Sequence, residues 1–175
     1  MTAFPLTRRA ALAALGALAL EGCMSTAPPS AAVRGLRFRA IRVDVSPIRA
    51  SMGDPTAAWV EQALPGALAQ SLAPYMAPGD RNGATLVARI DYLYLGPSSG
   101  GPGFGSFNQT QDTIVGSLIV IGPRGGVVEK IPLRAIDSYF PMAVDQALVE
   151  RALHGRVVAL AQAFAGWAPR ELGLS

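Results

Sequence analysis

The chain has 175 residues, 15 basic and 12 acidic side chains, a formal net charge of +3 and a single cysteine. This length suits one domain with one hydrophobic core, and one cysteine excludes an intramolecular disulfide. The arginines are scattered and do not alternate with aromatic residues, which argues against a nucleic-acid-binding surface.

The first predicted element is an N-terminal apolar segment. Residues 10–20, AALAALGALAL, contain no charged or polar side chain. A helix rises about 1.5 Å per residue, so this segment is too short to cross a hydrocarbon core of roughly 30 Å. It has the length of the hydrophobic region of an export signal, and Arg8 and Arg9 supply the positive charge that precedes such a region.

The end of this segment, Leu20-Glu21-Gly22-Cys23, resembles a bacterial lipobox. The resemblance implies that a signal peptidase recognises Leu20 and Gly22, cleaves after Gly22, and leaves Cys23 carrying a diacylglycerol and an N-terminal acyl chain such as palmitate. Glu21 departs from the pattern, in which this position is small or weakly polar. One acyl chain binds a membrane only marginally, whereas two or three on one residue would make the attachment effectively permanent.

Two further features concern export and the boundary of the folded part. Residues 7–12, TRRAAL, resemble a twin-arginine export motif, although Ala11 stands where an aromatic residue or leucine is usual, so this route and the general secretory route both stay open.

The Pro/Ser/Ala-rich stretch 24–33 disfavours the alternative that Cys23 is a buried core residue. The predicted organisation is a signal peptide over 1–22, a lipidated flexible spacer over 23–34 and one periplasmic domain over 35–175.

Alternating residues predict the first two strands of this domain. In residues 36–46 the apolar phase slips near Ala40, which predicts a bulge. In residues 84–95 the face opposite to the core is predicted to be the one that carries Arg89 and Asp91. The face predicted to meet the core carries Leu86, Ala88, Ile90, Tyr92 and Tyr94.

Apolar residues at helical spacing predict two helices. The first is predicted to start at Asp54-Pro55, with the aspartate as its N-cap, and an apolar residue at every fourth position over 60–72 predicts its buried face. Pro65 within it predicts a kink or two short helices in line. The second is predicted to run from Pro141 to about Trp167.

Residues 112–121 and 127–139 predict two more strands joined by a tight turn. Pro132 predicts an edge position for the last strand, because proline removes a hydrogen bond from the sheet. The first two strands are joined through a helix and should be parallel, while the last three should form an antiparallel meander. The predicted fold is therefore a two-layer α+β domain of order β-α-β-β-β-α, with one mixed four-stranded sheet and two helices on one face.

The glycine-rich loop over 96–111 separates the second and third strands. A dinucleotide-binding loop would be followed by a helix, and a P-loop would contain a lysine; here a strand follows and lysine is absent from the loop. The sequence therefore predicts a flexible hairpin loop. Its Phe104 and Phe107 are candidate contacts for a partner or a membrane surface, or they fold back onto the core.

The remaining candidate residues have simple structural interpretations. His154 and Glu150 lie one helical turn apart, and further ligands would be needed for a metal site. We predict no metal and no cofactor. Arg151 and Arg156 are interpreted as a solvated helix face. Trp59 and Trp167 are interpreted as core residues, since packing explains them better than a ligand platform does.

Four aspartates lie on or beside the predicted strands: Asp44, Asp91, Asp112 and Asp137. A pair of carboxylates at a suitable separation is the basic requirement of many glycoside hydrolases. An anchored carboxylate-dependent hydrolase therefore stays open as an alternative. Each aspartate is more simply interpreted as an outward-facing or strand-end residue.

The lipobox, the short spacer and the order of elements together resemble small envelope lipoproteins, among them the LPS-assembly lipoproteins and the auxiliary lipoproteins of ABC-type envelope transporters. The resemblance implies a non-enzymatic accessory of envelope assembly or transport, which contacts an envelope protein partner while its acyl chains hold the membrane. A lipid or small-ligand binding module, with its site between the sheet and the helices, is the alternative. Met24 stands where an aspartate retains enteric lipoproteins in the inner membrane, so the resemblance implies a periplasm-facing position on the outer membrane of a Gram-negative host.

Overall fold

A computed structural model describes residues 33–96, 110–139 and 146–174 of the chain. The strands within these ranges form one sheet in the order β1-β2-β3-β4, with β1 parallel to β2 and the other neighbours antiparallel. In chain order the elements are β1 (Phe38–Asp44), α1 (Ser46–Met52), α2 (Thr56–Ser71), a short 3₁₀ helix (Ala73–Tyr75), β2 (Ala84–Tyr94), β3 (Thr110–Ile121), β4 (Val127–Tyr139) and α3 (Gln146–Glu171).

The predicted α+β architecture is confirmed. The sheet is mixed and four-stranded, helices pack on one of its faces, and β4 with its Pro132 lies at an edge of the sheet. Two short elements were not predicted, the 3₁₀ helix and an α-helix that lies between β1 and α2. This helix, α1, follows β1 directly, has a proline in its first turn and buries Ile48 completely.

The helix boundaries differ from the predicted ones. Helix α2 is one continuous segment that includes Pro65. Of the two predicted outcomes, a kink or two short helices in line, the division into two helices is therefore wrong. Asp54 does not cap α2, because Pro55 occupies the N-cap position and no side chain bonds to the first turn. Helix α3 ends at Glu171, four residues beyond the predicted end at Trp167.

The hydrophobic core lies between the sheet and the helices. Each buried large apolar side chain contributes about 1.5–3 kcal/mol relative to an exposed one. Val33, which belongs to the predicted spacer, is also fully buried. The largest fully buried side chains are Phe38, Phe164, Ile48, Leu64, Leu68, Leu72, Leu86, Ile90, Ile114, Leu118, Leu160 and Leu172.

The strand register shifts at two places that affect the side-chain pattern. One shift lies at the start of β1, as predicted, and the other lies in β2 between Ile90 and Tyr92. Successive residues of a strand point to opposite faces, so an inserted residue exchanges the two faces from that point onward. Leu93 is consequently 3% exposed, whereas Tyr92 and Tyr94 are 52% and 46% exposed. The prediction that both tyrosines meet the core is wrong.

Gly116 on β3 pairs with Ile90 beside this second shift. A Cβ atom at residue 116 would lie 2.2 Å from the carbonyl oxygen of Arg89. Any larger residue would therefore push the two backbones apart. The close approach of β2 and β3 at the bulge thus requires glycine at this position.

Candidate functional site

The sheet face opposite to the helices is uncovered within the described parts of the chain. The register shift in β2 places Tyr92 and Tyr94 on this face, and Ile136 on β4 is 44% exposed there. Val115 on β3 is half-buried between its neighbours. We call this whole sheet face the open face. The residues of its exposed patch are Tyr92, Tyr94, Gln111, Thr113, Val115, Arg134 and Ile136.

The open face contains a shallow depression. In the strand register, Val115 lies between Tyr92 on β2 and Arg134 on β4. Thr113 lies in the same way between Tyr94 and Ile136. The smaller side chains of the central strand thus form a floor between larger side chains on both sides. The depression has a volume of about 600 Å³ and is also lined by Gln111.

The chemistry of this depression suits contact with an apolar or amphipathic segment. Tyr92 and Tyr94 offer aromatic surface, while Gln111 and the Arg134 guanidinium offer polar groups at its border. Tyrosine and arginine are enriched among the residues that contribute most to protein–protein binding. An uncovered patch of this kind on a small domain commonly marks an interaction site.

An exposed charge cluster lies on the open face, next to this depression. Arg89 Nε donates a hydrogen bond to Asp91 Oδ1 at 2.9 Å, and its Nη1 lies 3.7 Å from Asp44 Oδ2. The hydrogen bonds from Ser46, with a smaller effect of Arg89, lower the pKa of Asp44 below its usual value. Asp91 and, to a lesser extent, Asp44 raise the pKa of Arg89. One guanidinium therefore contacts two of the four candidate aspartates.

The opposite face of the sheet contains a buried ion pair between Asp112 on β3 and Arg156 on α3. Arg156 Nε donates to Asp112 Oδ2 at 2.7 Å, and Nη2 contacts both Asp112 Oδ1 and, at 2.7 Å, the carbonyl oxygen of Gly96. The Gly96 N–H donates to Asp112 Oδ1 at 2.9 Å. The two residues are 1% and 5% exposed. This bidentate geometry is the strong form of an arginine–carboxylate ion pair.

The buried pair connects three parts of the domain. It joins the end of β2, through Gly96, to β3 and to α3. Gly96 and Thr110 are the described residues on either side of the segment 97–109. The pair therefore fixes the positions at which that segment leaves and rejoins the sheet.

Both partners of this pair are more buried than their sequence patterns predict. Arg156 is buried rather than part of a solvated helix face. Asp112 lies near the start of β3, in agreement with its interpretation as a strand-end residue, but its side chain is buried and does not face outward. A sequence signal for Arg156 does exist. It lies three residues after Leu153 and four before Leu160, so it belongs to the buried stripe of α3. A charged residue within an apolar stripe predicts a buried partner of opposite charge.

The other candidate aspartate, Asp137, lies directly opposite Asp112 in the register of β3 and β4. It is half-buried and accepts a hydrogen bond from the backbone N–H of Ser138 at 2.9 Å. The four aspartates thus form two neighbouring pairs, Asp44 with Asp91 and Asp112 with Asp137. In each pair an arginine already binds a carboxylate.

The helix layer carries the histidine and both tryptophans. His154 is exposed, and its ring centroid lies 5.3 Å from that of Trp59, which packs partly against the core. Trp167 is 45% exposed, with the Arg170 guanidinium 5.2 Å from its ring centroid, so its predicted core position is wrong. The described residues contain no group of three or more histidine, cysteine, aspartate or glutamate side chains that could hold a metal ion.

The sequence-predicted site residues lie outside the described residues. These are the export arginines Arg8 and Arg9, the recognition residues Leu20 and Gly22, the lipidation site Cys23, and the loop residues Phe104 and Phe107. Within the described ranges, no helix has both the length and the hydropathy required to cross a membrane.

The comparisons with known proteins give remote similarities only. No protein-family model matches the chain, and no curated protein matches it. Among solved structures, a candidate lipoprotein from Caulobacter crescentus CB15 is 12% identical, with 77% of this chain and 86% of that one covered and a TM-score of 0.46. A minor lipoprotein from Acinetobacter baumannii is 15% identical, with 77% and 95% covered and a TM-score of 0.43. At these values, neither the fold nor the function of this chain is assigned from its structural neighbours.

Proposed function

We propose that the protein is a lipid-anchored accessory of the bacterial cell envelope that acts by binding a partner protein, without catalysing a reaction. The observation that carries this proposal is the open face, with two half-exposed tyrosines and Ile136 around a small-residue floor. Binding to a partner would remove this apolar surface from water, at about 25 cal/mol per Å².

The lipobox residues support the anchoring part of the proposal. Leu20, Gly22 and Cys23 stand at the positions that a lipoprotein signal requires. An acylated Cys23 would hold the folded domain at a membrane surface, and Met24 after it favours the outer membrane. The folded domain itself would then face the periplasm.

A test of partner binding uses a photo-crosslinking amino acid at single positions of the full chain in its own host. With the crosslinker in place of Tyr94, we expect one discrete adduct that is reproducible between preparations. The matched control carries it in place of Gln162, which is exposed on the helix layer. The absence of an adduct from residue 94, or the same adduct from both positions, would contradict binding through the open face.

A second candidate function is the binding of a lipid or small ligand in the same depression. The depression has an aromatic lining and a volume of about 600 Å³, so it is a better location for a ligand than the space between the sheet and the helices. Buried side chains fill that space. Native mass spectrometry of the purified protein would detect a retained ligand. A ligand mass that disappears in Tyr92→Ser together with Tyr94→Ser would favour this candidate over a protein partner.

The anchor is tested separately. Growth with a clickable fatty acid should label the wild-type protein and leave Cys23→Ser unlabelled. Equal labelling of both, or of neither, would refute acylation at Cys23 and leave the question of the open face untouched.

A further inference from the structure

We propose that one end of the domain binds a membrane surface rich in anionic phospholipid. This end is defined by Arg34, Arg37, Arg39, Arg81 and Arg124, and we call it the basic end. The inference rests on the proposed function for one point only, which is that the anchor at Cys23 would keep this end close to a bilayer. The affinity of the basic end for lipid does not depend on acylation.

The five arginines lie together because the chain starts and turns at this end. Strands β1 and β2 are parallel and both begin here, and the turn between β3 and β4 also lies here. Arg39 Nη1 donates to the carbonyl oxygen of Arg81 at 3.5 Å. Arg81 and Arg124 line one hollow. Arg34 and Arg37 line another, together with Tyr75 and the two residues Gly173 and Leu174 that follow α3.

The five exposed arginines of the basic end have no ion-pair partner among the described residues. By contrast, Arg49, Arg89 and Arg156 are each bound to aspartate or glutamate. The acidic residues at or near the basic end are Asp80, Glu129 and Glu171, and Arg170 and Lys130 add two further positive charges.

Apolar side chains are exposed at the same end. Val127 and Val128 are 65% and 40% exposed and line the hollow that contains Arg81 and Arg124. Trp167 lies in the last two turns of α3, which ends here, and is 45% exposed. Arginines bind lipid phosphates, while tryptophan and aliphatic side chains favour the boundary between headgroups and acyl chains. Together these residues fit a lipid surface better than they fit a soluble anion.

The position of the spacer directs this end toward the membrane. Val33 follows Cys23 by ten residues, and a fully extended chain of that length spans about 35 Å. The first described residue of the domain therefore lies within about 35 Å of an acylated Cys23. Strand β4 has 13 residues, and at about 3.3 Å per residue the far end of the sheet lies about 40 Å away. Seating the basic end on lipid would place Tyr94 and Gln111, near the far end of β2 and β3, away from the bilayer and accessible to a partner.

The test measures vesicle binding of the full chain with Cys23→Ser, so that acylation does not contribute. Vesicles contain phosphatidylcholine alone, or phosphatidylcholine with about 30% phosphatidylglycerol to give a negative surface. We expect tighter binding to the anionic vesicles. Each arginine at such a surface contributes about a fivefold increase in partitioning, so Arg81→Gln with Arg124→Gln should lose about 25-fold. The same pair changed to lysine should retain most of the binding.

The matched control is Arg42→Gln with Arg151→Gln, which removes the same charge from exposed arginines elsewhere. All variants carry identical N-terminal residues, so the contribution of the apolar segment is common to them. A loss confined to the basic-end variant supports the proposal. Equal losses in both variants, no loss in either, or equal binding to the two kinds of vesicle would overturn it. Because Cys23→Ser lacks acyl chains throughout, a failure here is distinct from a failure of the fatty-acid labelling that tests the anchor.

Discussion

The two faces of the sheet are built from the same strands but have different surroundings. Leu118 and Ile119 are consecutive residues of β3, yet Leu118 is completely buried beneath the helices while Ile119 is only half-buried on the open face. Burial under α2 and α3 gives the covered face most of the apolar contribution to stability. The open face is consequently free to carry side chains that serve contact with another molecule.

The same contrast holds for charged residues. On each face an arginine forms ion pairs with aspartate. Arg156 binds Asp112 on the covered face, and Arg89 binds Asp91 and Asp44 on the open face. Water screens the exposed cluster, so it contributes little to folding. The buried pair has lost its hydration, so each of its charges depends on the other.

The largest expected effect comes from breaking the buried pair. Arg156→Met leaves the Asp112 carboxylate without its main partner in a dry environment, and we expect a loss of about 3–5 kcal/mol in the free energy of unfolding. Arg89→Met, its counterpart on the open face, should leave stability nearly unchanged. Urea unfolding followed by circular dichroism measures both values.

A second substitution checks the cause of this loss. Adding Asp112→Leu to Arg156→Met removes the isolated charge and should recover a large part of the lost stability. If the double variant were no more stable than Arg156→Met alone, the lost contacts of the arginine side chain rather than the unpaired charge would explain the effect.

The next prediction compares Leu118 with Ile119, the neighbouring residues of β3 that lie on opposite faces of the sheet. Leu118→Ala removes a fully buried side chain from the core and should cost about 2–5 kcal/mol. Ile119→Ala removes an aliphatic side chain from the open face and should cost less than about 1 kcal/mol. Equal losses in urea unfolding would mean that the open face is covered in solution, for example by a second copy of the chain, which sedimentation would detect.

A third effect concerns the bulge that assigns side chains to the faces. Gly116→Ala would place a Cβ 2.2 Å from the Arg89 carbonyl oxygen, and this overpacking should cost about 1–3 kcal/mol. Gly66→Ala in α2, where nothing lies within 4 Å of the new methyl group, should instead stabilise by about 0.5–1 kcal/mol. Opposite signs are expected in thermal unfolding. Two changes of the same sign would refute the close approach of β2 and β3 at residue 116.

The order of elements and the sheet topology could be predicted from the sequence because they follow from local patterns. Alternation revealed the strands, helical spacing revealed α2 and α3, and Pro132 correctly placed β4 at an edge. Helix α1 was missed, because a seven-residue helix is too short to show an apolar stripe.

The candidate site could not be predicted, because it depends on pairing between strands. The face of Tyr92 and Tyr94 is decided by a bulge, and that bulge requires a glycine on the neighbouring strand. The alternation of polar and apolar residues within β2 alone cannot reveal this bulge. The partner of Arg156 is likewise 44 residues away in sequence. A charged residue in the stripe of α3 indicates that a partner exists, but only the fold identifies Asp112.

The smallest expected effect is a pH dependence on the open face. Hydrogen bonds from Ser46 lower the pKa of Asp44 from its reference value of 3.8. A lowered pKa in the folded state means that the ionised carboxylate stabilises the fold above pH 4, and that this contribution disappears as the pH falls through the folded-state pKa. Asp44→Asn should therefore be less stable than wild type at neutral pH, by less than about 1 kcal/mol because the carboxylate is partly exposed. The difference should vanish in strong acid.

Urea unfolding of both proteins across this pH range checks the prediction. Asp54→Asn is the control, since its carboxylate is 63% exposed and lies 3.6 Å from Arg49 Nε in the helix layer. A gap between Asp44→Asn and wild type that widens in acid would contradict the lowered pKa. A gap as large as that of Arg156→Met would contradict the difference between the two faces, because an exposed cluster would then match a buried pair in strength.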